Sequence, residues 1–244
     1  FSSRFFRQTL QKYFSCLKPA SGAPPDLERT HRVEEWKKEF EQHESNFPLI
    51  LDHEAFFLPK KKISITSRPT REQDVVSLFN QLLAGGVIRG IQIMSTNERF
   101  TYDSMYRIAF GDNPSIYIFD AEENPLGIDE DNFKENFVSH PKILEYKFDL
   151  DGLIEDIEGD EKNTNDIDML VCWSVGDQYK ANYDIVSLLD EENIGDRVVH
   201  GVTHALYSSA HNQKEMDLIV LEDLISFLND PAAELERQVS KYED

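Results

Sequence analysis

Ile167-Asp168-Met169-Leu170-Val171-Cys172-Trp173-Ser174-Val175 is apolar almost without interruption, and it constrains the fold more than any other stretch of the chain. A strand with one wet face alternates apolar and polar residues. A run that does not alternate reads as a strand buried on both faces, in the middle of a mixed sheet with cover above and below. The segments around it carry strand patterns at residues 87–94, 99–110, 116–119, 143–148, 183–189, 198–203 and 216–221. Helical spacing appears after Thr70 (Val75, Val76, Phe79, Leu82, Leu83), at 150–157 and at 222–228. Thr70 and Gln73 fit a capping box, and Gly85-Gly86 ends that first helix. The pattern predicts an α/β (α+β) fold, a mixed central β-sheet flanked by helices.

The N-terminal region reads differently. Phe5, Phe6, Leu10, Phe14 and Leu17 share a helical face that should stop near Pro19, and residues 20–25 form a linker. A second helix runs from Asp26 to about Glu44 through Leu27, Val33, Trp36 and Phe40. The expected organisation is a helical arm and linker (1–47), an α/β domain (48–230) and an acidic tail (231–244) that is a helix or a frayed end. The arm would pack on a neighbouring domain or a second subunit, or cover the main domain. Residues 120–136 are acidic, hold Asn124-Pro125 and Gly127, and predict a loop or insertion.

Composition narrows the function classes. The 244 residues contain 40% hydrophobic side chains, too many for wholesale disorder, yet no run of about 18 apolar residues that would cross a membrane. Only Cys16 and Cys172 are present, with no Cys-x-x-Cys, so a disulfide framework is excluded and a reducing, cytoplasmic address is expected. The chain opens on Phe1 without a secretory leader pattern, as a segment of a longer protein would. Net charge is −21, unevenly spread: residues 1–100 hold 15 Lys and Arg against 12 Asp and Glu, and residues 101–244 hold 10 against 34. An acidic body disfavours polyanions, but Lys60, Lys61, Lys62, Arg68 and Arg71 form a basic edge able to touch nucleic acid locally.

Chemistry concentrates in three segments. Glu72 opens a helix, Asp103 lies in Thr101-Tyr102-Asp103-Ser104, and Glu145 and Lys147 lie in Leu144-Glu145-Tyr146-Lys147-Phe148. Period-two alternation sends Glu145 and Lys147 to one face and Leu144, Tyr146 and Phe148 to the other. An acid and an ammonium beside a sheet core are costly unless paired or holding a ligand.

This order resembles the PD-(D/E)xK nuclease superfamily, with its restriction-endonuclease-like fold. A helix with a Glu, a strand, a strand with an Asp, and a strand ending in Glu-x-Lys before a helix match Glu72, Asp103, Glu145 and Lys147 over residues 70–175. Tyr-Asp-Ser and Leu-Glu-Tyr-Lys look like the Tyr-Asp-Gly and Glu-Phe-Lys pairs of several such families. The resemblance implies Mg2+ (or Mn2+) bound by Asp103 and Glu145 with Glu72 completing the shell, and Lys147 orienting the attacking water or stabilising phosphate charge. It implies cleavage of DNA, in an effector module of a larger restriction or anti-phage protein, with an ATPase domain, a partner subunit or a second copy as company. Two departures stand out: Glu145 lies 42 positions after Asp103, requiring an insertion, and no Pro precedes the Asp. Asp120 is the rival for the Asp role.

Without the resemblance, each residue has a plainer account. Glu145 and Lys147 make a sheet-edge ion pair, Asp103 ends a strand, and Glu72 is a first-turn acid favoured by the helix dipole. The corresponding function is a non-catalytic assembly or protein-interaction domain with an acidic surface. Asp166 and Asp168 read as strand-entry turn formers, His200 and His204 as packing or surface residues, and Cys172 as core.

Overall fold

The computed structural model describes residues 25–57, 63–97 and 101–242. The chain divides into two units, Phe1–Pro48 and Leu49–Asp244. The described part of the first is helix α1 (Pro25–Asn46), with Val33, Trp36 and Phe40 about 41, 56 and 37% exposed along one face. The expected 5–17 helix lies outside the described residues, as do Lys60, Lys61 and Lys62.

The second unit opens with α2 (Glu72–Ala84), which carries Val75, Leu78, Phe79 and Leu82 inward. Its cap differs from the expected box. Thr70 donates through both N and Oγ1 to Asp74 Oδ2 (3.0 and 2.9 Å), not to Gln73, and Arg71 occupies the cap position, where its side chain makes no capping bond to the first turn. Gly86 takes φ 73°, and the chain then turns into the sheet.

Among the described residues seven strands form one sheet: β1 (Ile91–Thr96), β2 (Ser104–Ile108), β3 (Lys142–Asp149), β4 (Met169–Ser174), β5 (Tyr183–Ser187), β6 (His204–Ser208) and β7 (Gln213–Val220), in the order β1-β2-β3-β4-β7-β6-β5. β1, β2 and β3 are antiparallel, β3–β4 and β4–β7 are parallel, and β7, β6 and β5 are antiparallel again. Helix α3 (Leu150–Glu158) makes the crossover from β3 to β4, its Asp149 cap accepting from Gly152 N at 3.0 Å. Helices α4 (Leu221–Asn229) and α5 (Pro231–Tyr242) close the chain.

The central strand lies where its sequence puts it. Met169, Val171 and Trp173 join the core under α2 and α4, while Leu170 and Cys172 join a second core under α3 with Leu150, Leu153 and Ile154. Both faces are therefore dry, and the sheet is the middle layer of three.

Two predicted strands are not strands. Residues 116–119 follow a 3-10 turn (Pro114–Ile116), and only Ile118 bridges, to Ile128. Their apolar character serves packing instead: Tyr117 stacks on Phe133 at 5.9 Å and contacts Phe110 at 5.0 Å. Residues 198–203 form turns around Gly201 (φ 89°), where an added Cβ would sit 2.9 Å from Ile88, and strand β6 begins only at His204. The expected tail 231–244 is helical to Tyr242 and packed, with Glu234 and Gln238 buried.

The insertion between β2 and β3 is irregular but anchored. Arg197, fully buried, donates Nη1 to the carbonyls of Pro125 and Gly127 (both 2.8 Å) and Nη2 to that of Leu188. His200 Nε2 lies 2.9 Å from Asn124 Oδ1. At Gly127 a Cβ would fall 2.4 Å from Phe119 N, so no other residue fits.

Candidate active site

β3 pairs with β2 on one side and β4 on the other, which fixes its register. Leu144 and Tyr146 enter the core beneath α2, where Tyr146 meets Phe79 edge-on at 5.9 Å. Glu145 and Lys147 therefore face the α3 side. Glu145 has no exposed surface, and the Lys147 side chain is 17% exposed.

Three further segments converge there. Asp103, immediately before β2, accepts from Tyr146 N at 2.9 Å through Oδ2, and its own N donates to Glu145 Oε2 at 3.4 Å. The sheet backbone thus holds the two carboxylate-bearing segments side by side. Glu72, at the exposed first turn of α2, lies 4.0 Å from Lys147 Nζ, the same distance as Glu145 Oε1. Lys147 itself is held most closely by Asp156 of α3, Nζ to Oδ2 2.8 Å.

Two members of the cluster were not anticipated from sequence, Asp156 and Lys162. Lys162, in the loop after α3, donates to Glu145 Oε1 and reaches Asp156 Oδ2 at 3.2 Å. One clue was available: Lys162 is the lone Lys or Arg between Lys147 and Lys180.

Burial and charge oppose each other at these groups. Burial pushes the Glu145 carboxyl up to about 7, with the Asp103 charge adding to it, against the opposing hydrogen bond from Lys162. Burial likewise raises Glu72, partly offset by Lys147. Burial acts upward on Asp156 too, but its hydrogen bonds from Lys147 and Lys162 outweigh it and hold that carboxyl below its ordinary value.

Glu72 and Asp103 also line a cleft of about 480 Å3, with Gln73, Val76, Thr96, Asn97, Ser104 and Tyr146 completing its wall. Neither Glu145 nor Lys147 lines that cleft.

No family model, curated protein or solved structure matches the chain.

Among the described residues no three His, Cys, Asp or Glu side chains stand in a metal-holding arrangement as placed. The donor chemistry nonetheless fits a hard divalent cation. Glu72, Asp103, Glu145 and Asp156 offer carboxylate oxygens, the ligands Mg2+ and Mn2+ prefer. When all are ionised, the two ammonium groups of Lys147 and Lys162 leave two negative charges uncompensated. Lys162 moreover sits on Glu145 as a cation would.

The other candidates fall outside this cluster. Asp120 is exposed and accepts from Glu122 N and Glu123 N (2.9 and 2.8 Å), closing a turn. Asp166 accepts from the Tyr102 hydroxyl at 2.7 Å, and Asp168 pairs with Lys142 at 2.5 Å while accepting from Ile143 N. His204 is buried against Thr203 Oγ1 and Gln238 Oε1, and Cys172 is buried in the core under α3. Of the basic edge, Arg71 lies 3.7 Å from Asp74 beside Glu72, whereas Arg68 approaches Glu222 at 3.5 Å, in a separate cavity with Trp173.

Proposed function

We propose that the Leu49–Asp244 unit is a metal-dependent nuclease domain of restriction-endonuclease-like fold that hydrolyses phosphodiester bonds in DNA, as an effector module of a larger defence protein. The observation that carries this reading is the meeting of Glu72, Asp103, Glu145 and Lys147 from three separate segments. The element order supports it as well. A helix bearing Glu72, three antiparallel strands, a helix and a parallel strand follow the sequence expected of that fold.

Asp103 and Glu145, with Glu72, are the residues that would hold Mg2+ or Mn2+. The ion would supply positive charge opposite the phosphate oxygens, where negative charge grows in the transition state. Lys147 has three N–H donors, one engaged by Asp156. The remaining donors can orient a water or stabilise charge on the scissile phosphate. Glu72, more exposed and on the cleft, would complete the metal shell or hold a metal-bound water. Tyr146 N fixes the Asp103 carboxylate, so the strand itself sets the angle of the site.

The test is cleavage of labelled single-stranded DNA, duplex DNA and RNA with Mg2+ or Mn2+. Wild type should cut at least one of them. Asp103→Asn, Glu145→Gln and Lys147→Ala should each lose roughly 100-fold or more, the usual scale for removing a positioned acid, base or charge. Folded protein that cuts none, with either metal and with partners supplied, ends the enzymatic reading.

A second reading, a protein-interaction domain, draws on α1. Val33, Trp36 and Phe40 leave an apolar stripe exposed, and Trp36 meets Phe40 edge-on at 5.3 Å. Trp36→Ser should then disrupt a complex while leaving the melting of the Leu49–Asp244 unit unchanged.

A further inference from the structure

We infer that Lys162 is a tethered counter-ion of this site, seated on Glu145 where a divalent cation would bind, and that it sets cation affinity by competing for that carboxylate. The inference rests on the metal-dependent reading above and deepens it by assigning the residue that controls loading.

Glu145 has no exposed surface, and a buried carboxylate without a partner is expensive. Its Oε2 accepts from Asp103 N, and its Oε1 is taken by Lys162 Nζ, whose side chain is 11% exposed. Lys147 does not duplicate this contact, because it stands 4.0 Å from Oε1 and is drawn to Asp156 instead. The loop bearing Lys162 is pinned at its base, where Glu161 N and Lys162 N both donate to the Asp156 carbonyl (2.9 and 3.2 Å). The ammonium can leave Glu145 without losing every partner, since Asp156 Oδ2 is already within 3.2 Å. A four-carbon stem on a pinned loop makes withdrawal a side-chain motion. Only molecules with Lys162 withdrawn offer Glu145 to an ion, so apparent affinity falls by that fraction.

The experiment uses Mn2+ as the probe, with binding followed by calorimetry and by Mn2+ electron paramagnetic resonance at fixed neutral pH. Lys162→Gln should tighten Mn2+ binding by roughly fivefold or more, the low end of ordinary coupling between two ligands. Lys147→Gln removes the same charge from a position off Oε1 and should change affinity less. Equal tightening in both variants reduces the effect to general charge repulsion and overturns the inference, as does an unchanged or weakened Lys162→Gln.

A second measurement needs no variant. In wild type, saturating Mn2+ should raise the rate at which an amine-acylating reagent modifies Lys162, read by peptide mass spectrometry. An unchanged rate overturns the inference even if Lys162→Gln misfolds. Mn2+ that binds neither wild type nor Lys162→Gln removes the metal-dependent reading itself. Mn2+ that binds both equally removes only the role given to Lys162.

Discussion

Glu145 is the residue on which chemistry and stability pull apart. Its folded carboxyl titrates near 7 against an ordinary 4.5, because burial disfavours the charged form. A raised folded value means that the native state holds the proton more tightly than the unfolded chain does. The stability it contributes is complete below about 4.5 and is lost as pH rises through about 7. Glu145→Gln lacks this proton, so its unfolding free energy relative to wild type should climb between about pH 5 and 8, at no more than about 1.4 kcal/mol per pH unit, with its melting temperature rising in step. A flat difference across that window, by differential scanning calorimetry at several pH values, would show that Glu145 titrates normally. Alternation on one strand was enough to place Glu145 and Lys147 on a common face from sequence. Lys162 was not legible, because Gly159-Asp160-Glu161-Lys162-Asn163 carries no periodicity and its role depends on a loop fold. Asp156 was hidden for a different reason: a charged residue on a short amphipathic helix reads as solvent-facing.

At the scale of elements, the C-terminal helix is docked by polar contacts. Residues 231–244 read as an acidic tail, a helix or frayed end; α5 is that helix, and it is held by a polar network around Asp223 of α4, which is fully buried. Asp223 receives Arg237 Nη2, Gln238 Nε2 (3.0 Å) and the Tyr242 hydroxyl (3.3 Å), with His204 Nε2 at 3.5 Å. Burial acts upward on its carboxyl, but the surrounding positive charges and hydrogen bonds hold it below its ordinary value. Asp223→Ala strands those partners and should cost about 3–5 kcal/mol. That corresponds to a melting shift of roughly 6–20 °C for a domain of this size, with early protease cleavage near Pro231. A shift under about 2 °C would mean that apolar packing alone docks α5. The long helices were legible because the 3.6-residue period survives in them, and both-face-buried β4 because its apolar run does not alternate. Residues 116–119 and 198–203 were misread because buried turns are as apolar as strands, and only their backbone geometry tells them apart.

At the scale of the molecule, every described core residue lies within Leu49–Asp244. A fragment beginning at Leu49 should therefore unfold cooperatively, with a midpoint within about 2–4 °C of the full chain, a difference of about 1 kcal/mol. A broad, non-cooperative transition would show that residues 1–48 are needed to complete the fold. The layer order followed from one uninterrupted apolar run, whereas the strand order did not, because nothing local to β6 or β7 announces which neighbour each will take. The double pairing of β3 has a last consequence. Sliding that strand by one position would turn Leu144 and Tyr146 to the α3 side, against Asp156 and Lys162, and drive an acid and an ammonium in among Phe79, Met169 and Val171. Mutational drift can erase the charges one at a time, but it cannot misalign them, so a descendant that has lost its chemistry should still display the vacant positions in their old geometry.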